Sequence, residues 1–160
     1  MAGIVVGVDG SDRSRQVLAW AMREAAQHRV ALTVIAVHPA PVRPATRIYW
    51  NVPDFASNFD PEPTRKAVLE LVDEVAGEMT EAPPEVAVSV VQGDPADELV
   101  RASRDADLLV VGSRGSGGFA NLRLGSVSSK VTHHAASPVV VVPTHRLQAG
   151  SLGRAVRRTS

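Results

Sequence analysis

The chain has 160 residues, 44% of them hydrophobic, with 17 basic and 17 acidic side chains and no net formal charge. A chain of that length buries roughly two thirds of the surface its unfolded form exposes, so one ordinary domain with its own core is expected. The absence of cysteine excludes disulfide frameworks, thiolate nucleophiles and cysteine-based zinc sites, and the balanced charge offers no footprint for nucleic acid or an anionic membrane.

Gly3 to Val8 is a continuous apolar run that ends in Asp9-Gly10-Ser11, after which Val17, Leu18, Ala21, Met22 and Ala25 recur at helical spacing. A strand, a turn and a helix follow. Ala31 to Val37 reads as a second strand closed by His38-Pro39, and the proline-rich stretch from Ala40 to Pro63 as a long loop. Val68, Leu71, Val72, Val75 and Met79 form one face of an amphipathic helix over Thr64 to Glu81, which Pro83-Pro84 stops.

Val86 to Val91 is a third strand. Asp94-Pro95-Ala96-Asp97 then opens a helix with a carboxylate at the N-cap, proline in the first turn and further acid behind it; that helix runs to about Arg104. Leu108 to Val111, Ser126 to Ala135 and Val139 to Val142 complete the alternation as strand, helix and strand. Near-continuous Val, Ile and Leu in the strands means that both sheet faces are covered, and the alternation with helices means that the sheet is parallel. The prediction is a single-domain, Rossmann-like α/β fold: a doubly wound parallel sheet of five strands over residues 1–144, then a flexible basic tail over 145–160. No apolar run approaches the roughly 18 residues of a membrane span and the N-terminus lacks signal-peptide features, so a cytoplasmic protein is expected.

In doubly wound sheets ligands bind beyond the carboxyl ends of the strands, which directs attention to Asp9-Gly10-Ser11 and to Gly112-Ser113-Arg114-Gly115. Asp9 is chemically suited to accept hydrogen bonds from ribose hydroxyls, or simply to cap the next helix. After Gly112 come Gly115, Gly117 and Gly118, with Gly125-Ser126 immediately before the last helix. Glycines let backbone N–H groups approach a ligand closely, and a helix N-terminus adds unpaired N–H groups and partial positive charge, which together make a phosphate cradle. The competing reading is a surface loop that needs glycine only for turns. Ser113, Ser116, Ser126 and Ser128 add hydroxyls, and Arg114 and Arg123 add charge suited to phosphate. No Asp or Glu follows Asp107. A Walker loop is excluded because no glycine here precedes Lys and a hydroxyl residue, and Gly115-x-Gly117-x-x-Ala120 lacks both the chain position and the distant acid of a dinucleotide fingerprint.

At these residues the sequence resembles the universal stress proteins. Their nucleotide-binding members carry G-x2-G-x9-G-[ST], met here by Gly112, Gly115, Gly125 and Ser126; the opening Ile4 to Ser11 and the ending His134 to Val142 also agree. The resemblance covers about Gly3 to Pro143 and implies ATP, with or without Mg²⁺, across the carboxyl ends of the strands. By motif position it implies that Asp9 faces the ribose and adenosine end with Gly7 close by; Val37, at the end of the second strand and fixed by no motif, would border the adenine. Gly112, Ser113, Arg114, Gly115, Ser116, Gly117 and Gly118 would wrap the phosphates, with Gly125, Ser126, Val127 and Ser128 completing the site. It also implies a stress-response role through nucleotide-dependent conformation or an unidentified protein partner, and a homodimer in which the wholly apolar edge strand Val139–Val142 pairs with its mate. Ser137 stands where many relatives have cysteine, away from every implied contact.

His133 and His134 are adjacent on the last helix and so cannot share a metal as residues four apart can. No catalytic residue is assigned. Two alternatives remain: a slow ATPase or other nucleotide-using enzyme, in which Asp9 or Ser128 supplies an oxygen to Mg²⁺, and an interaction module without nucleotide.

Overall fold

A computed structural model of the chain describes residues 3–40, 59–114 and 124–144. Gly115, Ser116, Gly117, Gly118 and Arg123, most of the loop expected from Ala40 to Pro63, and the tail expected over 145–160 lie outside the described residues. In chain order the elements are β1 (Ile4–Val8), α1 (Asp12–His28), β2 (Leu32–Pro39), α2 (Glu62–Gly77), β3 (Val86–Gly93), α3 (Pro95–Ala102), a 3₁₀ turn (Ser103–Asp105), β4 (Leu108–Gly112), α4 (Ser126–His134) and β5 (Val139–Val142). All five strands are parallel, in the order β3-β2-β1-β4-β5.

The boundaries differ from the sequence expectation where local chemistry is ambiguous. The second helix starts at Glu62 rather than Thr64, because Pro63 is tolerated in a first turn, and it stops at Gly77, whose backbone freedom opposes continuing to Glu81. The third helix ends at Ala102 and tightens into the 3₁₀ turn, a common way for a last turn to close. α1 ends on Arg29, which takes a left-handed conformation (φ 55°) and donates its N–H back to Ala25 and Ala26. This is a helix stop usually made by glycine.

Alternation along the strands divides the core into two layers. Ile4, Val6, Val8, Leu32, Val34 and Val110 face Val17, Leu18, Ala21 and Met22 of α1 and Val68, Val72 and Val75 of α2. Val5, Ile35, Leu109 and Val111 face Ala96 and Leu99 of α3 and Val131 of α4. Leu18, Met22, Leu32 and Leu109 are fully buried. The two-sided covering is what the continuous apolar strands required.

The two sheet edges are treated differently. At the β3 edge, Arg65 of α2 donates a guanidinium N–H to the carbonyl of Val88 at 2.8 Å, occupying a main-chain acceptor of that strand. β5 forms the opposite edge, with Val139, Val140 and Val141 half-buried.

Candidate functional site

From β1 the chain winds outward through β2 to β3, then crosses back through α3 to β4 on the other side of β1. The order reverses between β1 and β4, so a crevice opens beyond their carboxyl ends. Registers fix what lies there. Val8 pairs with Ala36, and Val6 with Val110. Continuing both registers places Asp9 level with Val37 on one side and with Ser113 on the other. Strands lie about 4.8 Å apart, so Val37, Asp9 and Ser113 form a row about 10 Å long. An apolar side chain, a carboxylate and the start of a glycine loop thus succeed one another along the strand ends.

Asp9 is held in place by the start of α1. Its Oδ1 accepts from the Ser11 N–H at 3.0 Å, the Ser11 hydroxyl at 2.6 Å and the Ser14 hydroxyl at 2.8 Å, while Ser14 Oγ accepts the N–H of Asp9 at 3.0 Å. Gly10 between them has φ +77°, which favours glycine at the turn. Asp9 therefore organises the turn into α1, whose N-cap is Ser11, and also lies at the crevice.

The ends of the glycine loop are clamped. Ser113 N–H donates to the Val142 carbonyl at 2.9 Å, and Gly125 N–H donates to the Ser113 carbonyl at 2.7 Å, closing the loop at its base. Ser128 is 2% exposed, and its hydroxyl lies 3.1 Å from the carbonyls of both Ser113 and Gly125. It ties the loop together from beneath. Ser113 Oγ accepts the N–H of Thr144 at 3.1 Å, linking the loop to the end of β5. Arg114 is half-buried at the point where the described loop stops.

Two glycines of the implied site have packing reasons of their own. A Cβ on Gly7 would lie 2.9 Å from Leu99 Cδ1, so this glycine lets α3 settle on the sheet. A Cβ on Gly112 would lie 3.0 Å from Val17 Cγ2 of α1. At Gly125 a Cβ would meet only ordinary contacts at 3.6 Å.

α4 starts at the far side of the loop, with Gly125 at its N-cap and Ser129 N–H making the first helical bond to the Gly125 carbonyl at 3.0 Å. The N–H groups of Ser126, Val127 and Ser128 precede that bond and so have no helical acceptor. Ser126 is exposed and Val127 half-buried. The positive end of the helix dipole therefore opens toward the crevice, with no acid in its first turn.

Behind this end, Lys130 of α4 lies 2.7 Å from Asp97 and 3.5 Å from Asp94 of α3. Asp94 caps α3 by accepting the Asp97 N–H at 3.0 Å, and that bond, followed by Lys130, holds its carboxyl below the ordinary value of 3.8. Asp94→Ala should cost about 1 kcal/mol in urea denaturation. Because the folded value is lowered, this contribution is present above pH 3.8 and is lost as pH falls through the folded value. An equal cost well below that pH would show that the cap does not depend on the carboxylate.

Among the described residues no group of three or more His, Cys, Asp or Glu side chains is placed to hold a metal ion. Ser128, considered from the sequence as a Mg²⁺ ligand, is buried beneath the loop. The sequence reading pointed to Ser11 with Asp9 and Gly10 but gave it no role, and it missed Ser14 and Thr144. Ser11 and Ser14 had a detectable signal, since serines two and five residues beyond Asp9 fit a side-chain-capped turn into a helix. Thr144 had none, because its partner lies 31 residues away.

The sequence matches the universal stress protein family over residues 2–143. A universal stress protein of Mycobacterium tuberculosis strain H37Rv is 35% identical over 144 residues, covering 88% of this chain and 44% of the relative. One of Mycobacterium bovis is 39% identical over 145 residues, covering 88% and 45% respectively. The chain thus spans less than half the length of these curated relatives. A crystal structure of a universal stress protein in complex with cAMP superposes with a TM-score of 0.65 at 27% identity, over 89% of this chain and 97% of that one. A universal stress protein from Archaeoglobus fulgidus gives 0.57 at 25% identity, over 88% and 92%.

Proposed function

The chain belongs to the universal stress protein family, and on that premise we propose that it binds an adenine nucleotide, ATP foremost, and acts as a cytoplasmic stress-response regulator whose conformation or partners depend on that nucleotide. The row Val37, Asp9, Ser113 is the observation that carries this reading. Its sequence of apolar surface, hydrogen-bond acceptor and loop-plus-helix N-terminus follows the order of base, sugar and phosphate in a nucleotide. Val37 borders the adenine, Asp9 accepts from the ribose, and the N–H groups of Ser126 and Val127 take phosphate oxygens at the positive end of α4. Gly115, Ser116, Gly117 and Gly118 complete the wrapping in this proposal, with Arg114 supplying charge. Ser128, Gly7 and Gly112 serve the site indirectly, by bracing the loop and seating α3 and α1. The cAMP bound by one structural relative supports an adenine nucleotide as the ligand class.

Mg²⁺, where present, would be held mainly by phosphate oxygens and water, a coordination it favours over a cage made wholly of protein oxygens. Mass spectrometry of the purified, gently denatured chain tests the reading. Co-purified ATP supports it, ADP or AMP supports turnover, and a wild-type chain that neither carries nor titrates any adenine nucleotide sinks it in favour of a pure interaction module.

The same reading includes a homodimer through Val139–Val142. An apolar strand at a sheet edge exposes a ladder that invites pairing, and a two-fold mate satisfies it without open-ended growth. Light scattering at micromolar concentration should give twice the monomer mass; a stable monomer would oppose the dimer.

A further inference from the structure

The geometry points to Ser14 as the positioning residue that sets the Asp9 carboxylate for ribose recognition, an assignment that rests on the nucleotide-binding reading above. One hydroxyl holds Asp9 at two points. It donates to Oδ1 at 2.8 Å and accepts the Asp9 N–H at 3.0 Å, closing a ring through the backbone and side chain of the same residue. Such a ring removes rotation about the Cα–Cβ bond of Asp9, so the carboxylate has one direction relative to the strand end.

Ser14 can do this because it is itself immobile. It is 3% exposed, sits in the first turn of α1, and its N–H is bonded to the Ser11 carbonyl at 2.9 Å. The Ser11 N–H and hydroxyl also reach Oδ1, at 3.0 and 2.6 Å, but both bonds are exposed and water competes for them. Burial excludes water from Ser14, which makes it the partner whose loss loosens the side chain most.

A carboxylate recognises ribose hydroxyls only when its lone pairs face them, so an Asp9 held by Ser11 without Ser14 binds the sugar more weakly while base and phosphate contacts persist. The consequence is selective. Removing the Ser14 hydroxyl should affect a nucleotide in proportion to its ribose hydroxyls, which loss of stability alone does not do.

The test is isothermal titration of the full chain with ATP and with 2′,3′-dideoxy-ATP, for wild type, Ser14→Ala, Asp9→Ala and the double variant. Ser14→Ala should weaken ATP about tenfold, as loss of an oriented, charge-assisted hydrogen bond does, and leave dideoxy-ATP within about twofold. The double variant should be no weaker for ATP than Asp9→Ala alone. Ser14→Thr keeps the hydroxyl and should restore the preference for ATP, which covers the case in which the alanine variant does not fold. Equal weakening of both nucleotides by Ser14→Ala, additive losses in the double variant, or an ATP preference that persists in Ser14→Ala would each overturn the assignment. If Asp9→Ala leaves the preference of wild type intact, the ribose role of Asp9 itself fails, an outcome distinct from failure of Ser14 alone.

Discussion

Ser126→Glu should weaken ATP binding by at least about a hundredfold while leaving the melting temperature unchanged or slightly higher. Ser126 is exposed and occupies the first position of α4, directly after the N-cap Gly125. Placing a carboxylate there has opposite consequences for folding and for binding. A negative side chain in the first turn complements the helix dipole and stabilises the fold by about 0.3 to 1 kcal/mol. The same charge competes with the phosphate for the N–H groups of Ser126 and Val127 and repels it. Two like charges about 4 Å apart cost about 4 kcal/mol at an effective dielectric near 20, enough on its own for more than a hundredfold. Isothermal titration and thermal melts on one preparation read both signs. A variant that binds ATP as tightly as wild type would remove α4 from the phosphate site and reduce the glycine loop to a turn.

Gly3→Ala should destabilise the chain by about 3 to 5 kcal/mol and lower Tm by roughly 10 °C or more, without changing nucleotide affinity in protein that remains folded. Gly3 has φ +79°, a conformation that strains any residue with a Cβ, and that Cβ would fall 2.4 Å from the carbonyl oxygen of Ala31. Neither partner is free to yield. The Ala31 oxygen accepts the Ile4 N–H at 2.9 Å, Gly3 N–H donates to Asp107 Oδ2 at 2.9 Å, and the Gly3 carbonyl accepts the Asp107 N–H at 2.9 Å. Relief requires breaking at least one of these bonds, each contributing about 0.5 to 1.5 kcal/mol beyond the backbone strain. Differential scanning calorimetry measures the effect, and a Tm within about 2 °C of wild type would show that the amino-terminal end of the sheet adjusts freely.

The two substitutions act at opposite ends of the same strands. Gly3 closes the amino-terminal end, where β1 meets the starts of β2 and β4; Ser126 faces the carboxyl ends, where the loops diverge. Stability and ligand binding should therefore separate cleanly between them. Ser14 lies on the functional side, which is why its test compares two nucleotides rather than two melting temperatures.

What the sequence by itself determined is whatever depends on neighbours along the chain. Val139 to Val142 reads as a strand because four consecutive β-branched apolar residues suit a covered pleated surface, and it is one. Asp94-Pro95 reads as a helix start because an N-cap carboxylate and a first-turn proline act within four residues, and Asp94 does accept the Asp97 N–H. The spacing of Gly112, Gly115, Gly125 and Ser126 marked the family in the same way. Only the tertiary structure decided matters that depend on contacts distant in sequence. It set β1 between β2 and β4, which brings Asp9 level with Ser113 across more than a hundred residues of chain. It showed that Leu99 and Val17 pack closely where a Cβ on Gly7 and Gly112 would stand, and that Ser128 braces the loop from beneath. A glycine or a serine looks the same in a sequence whether it faces a ligand, a leucine or a carbonyl, because its role is set by the atoms that folding brings within about 4 Å of it.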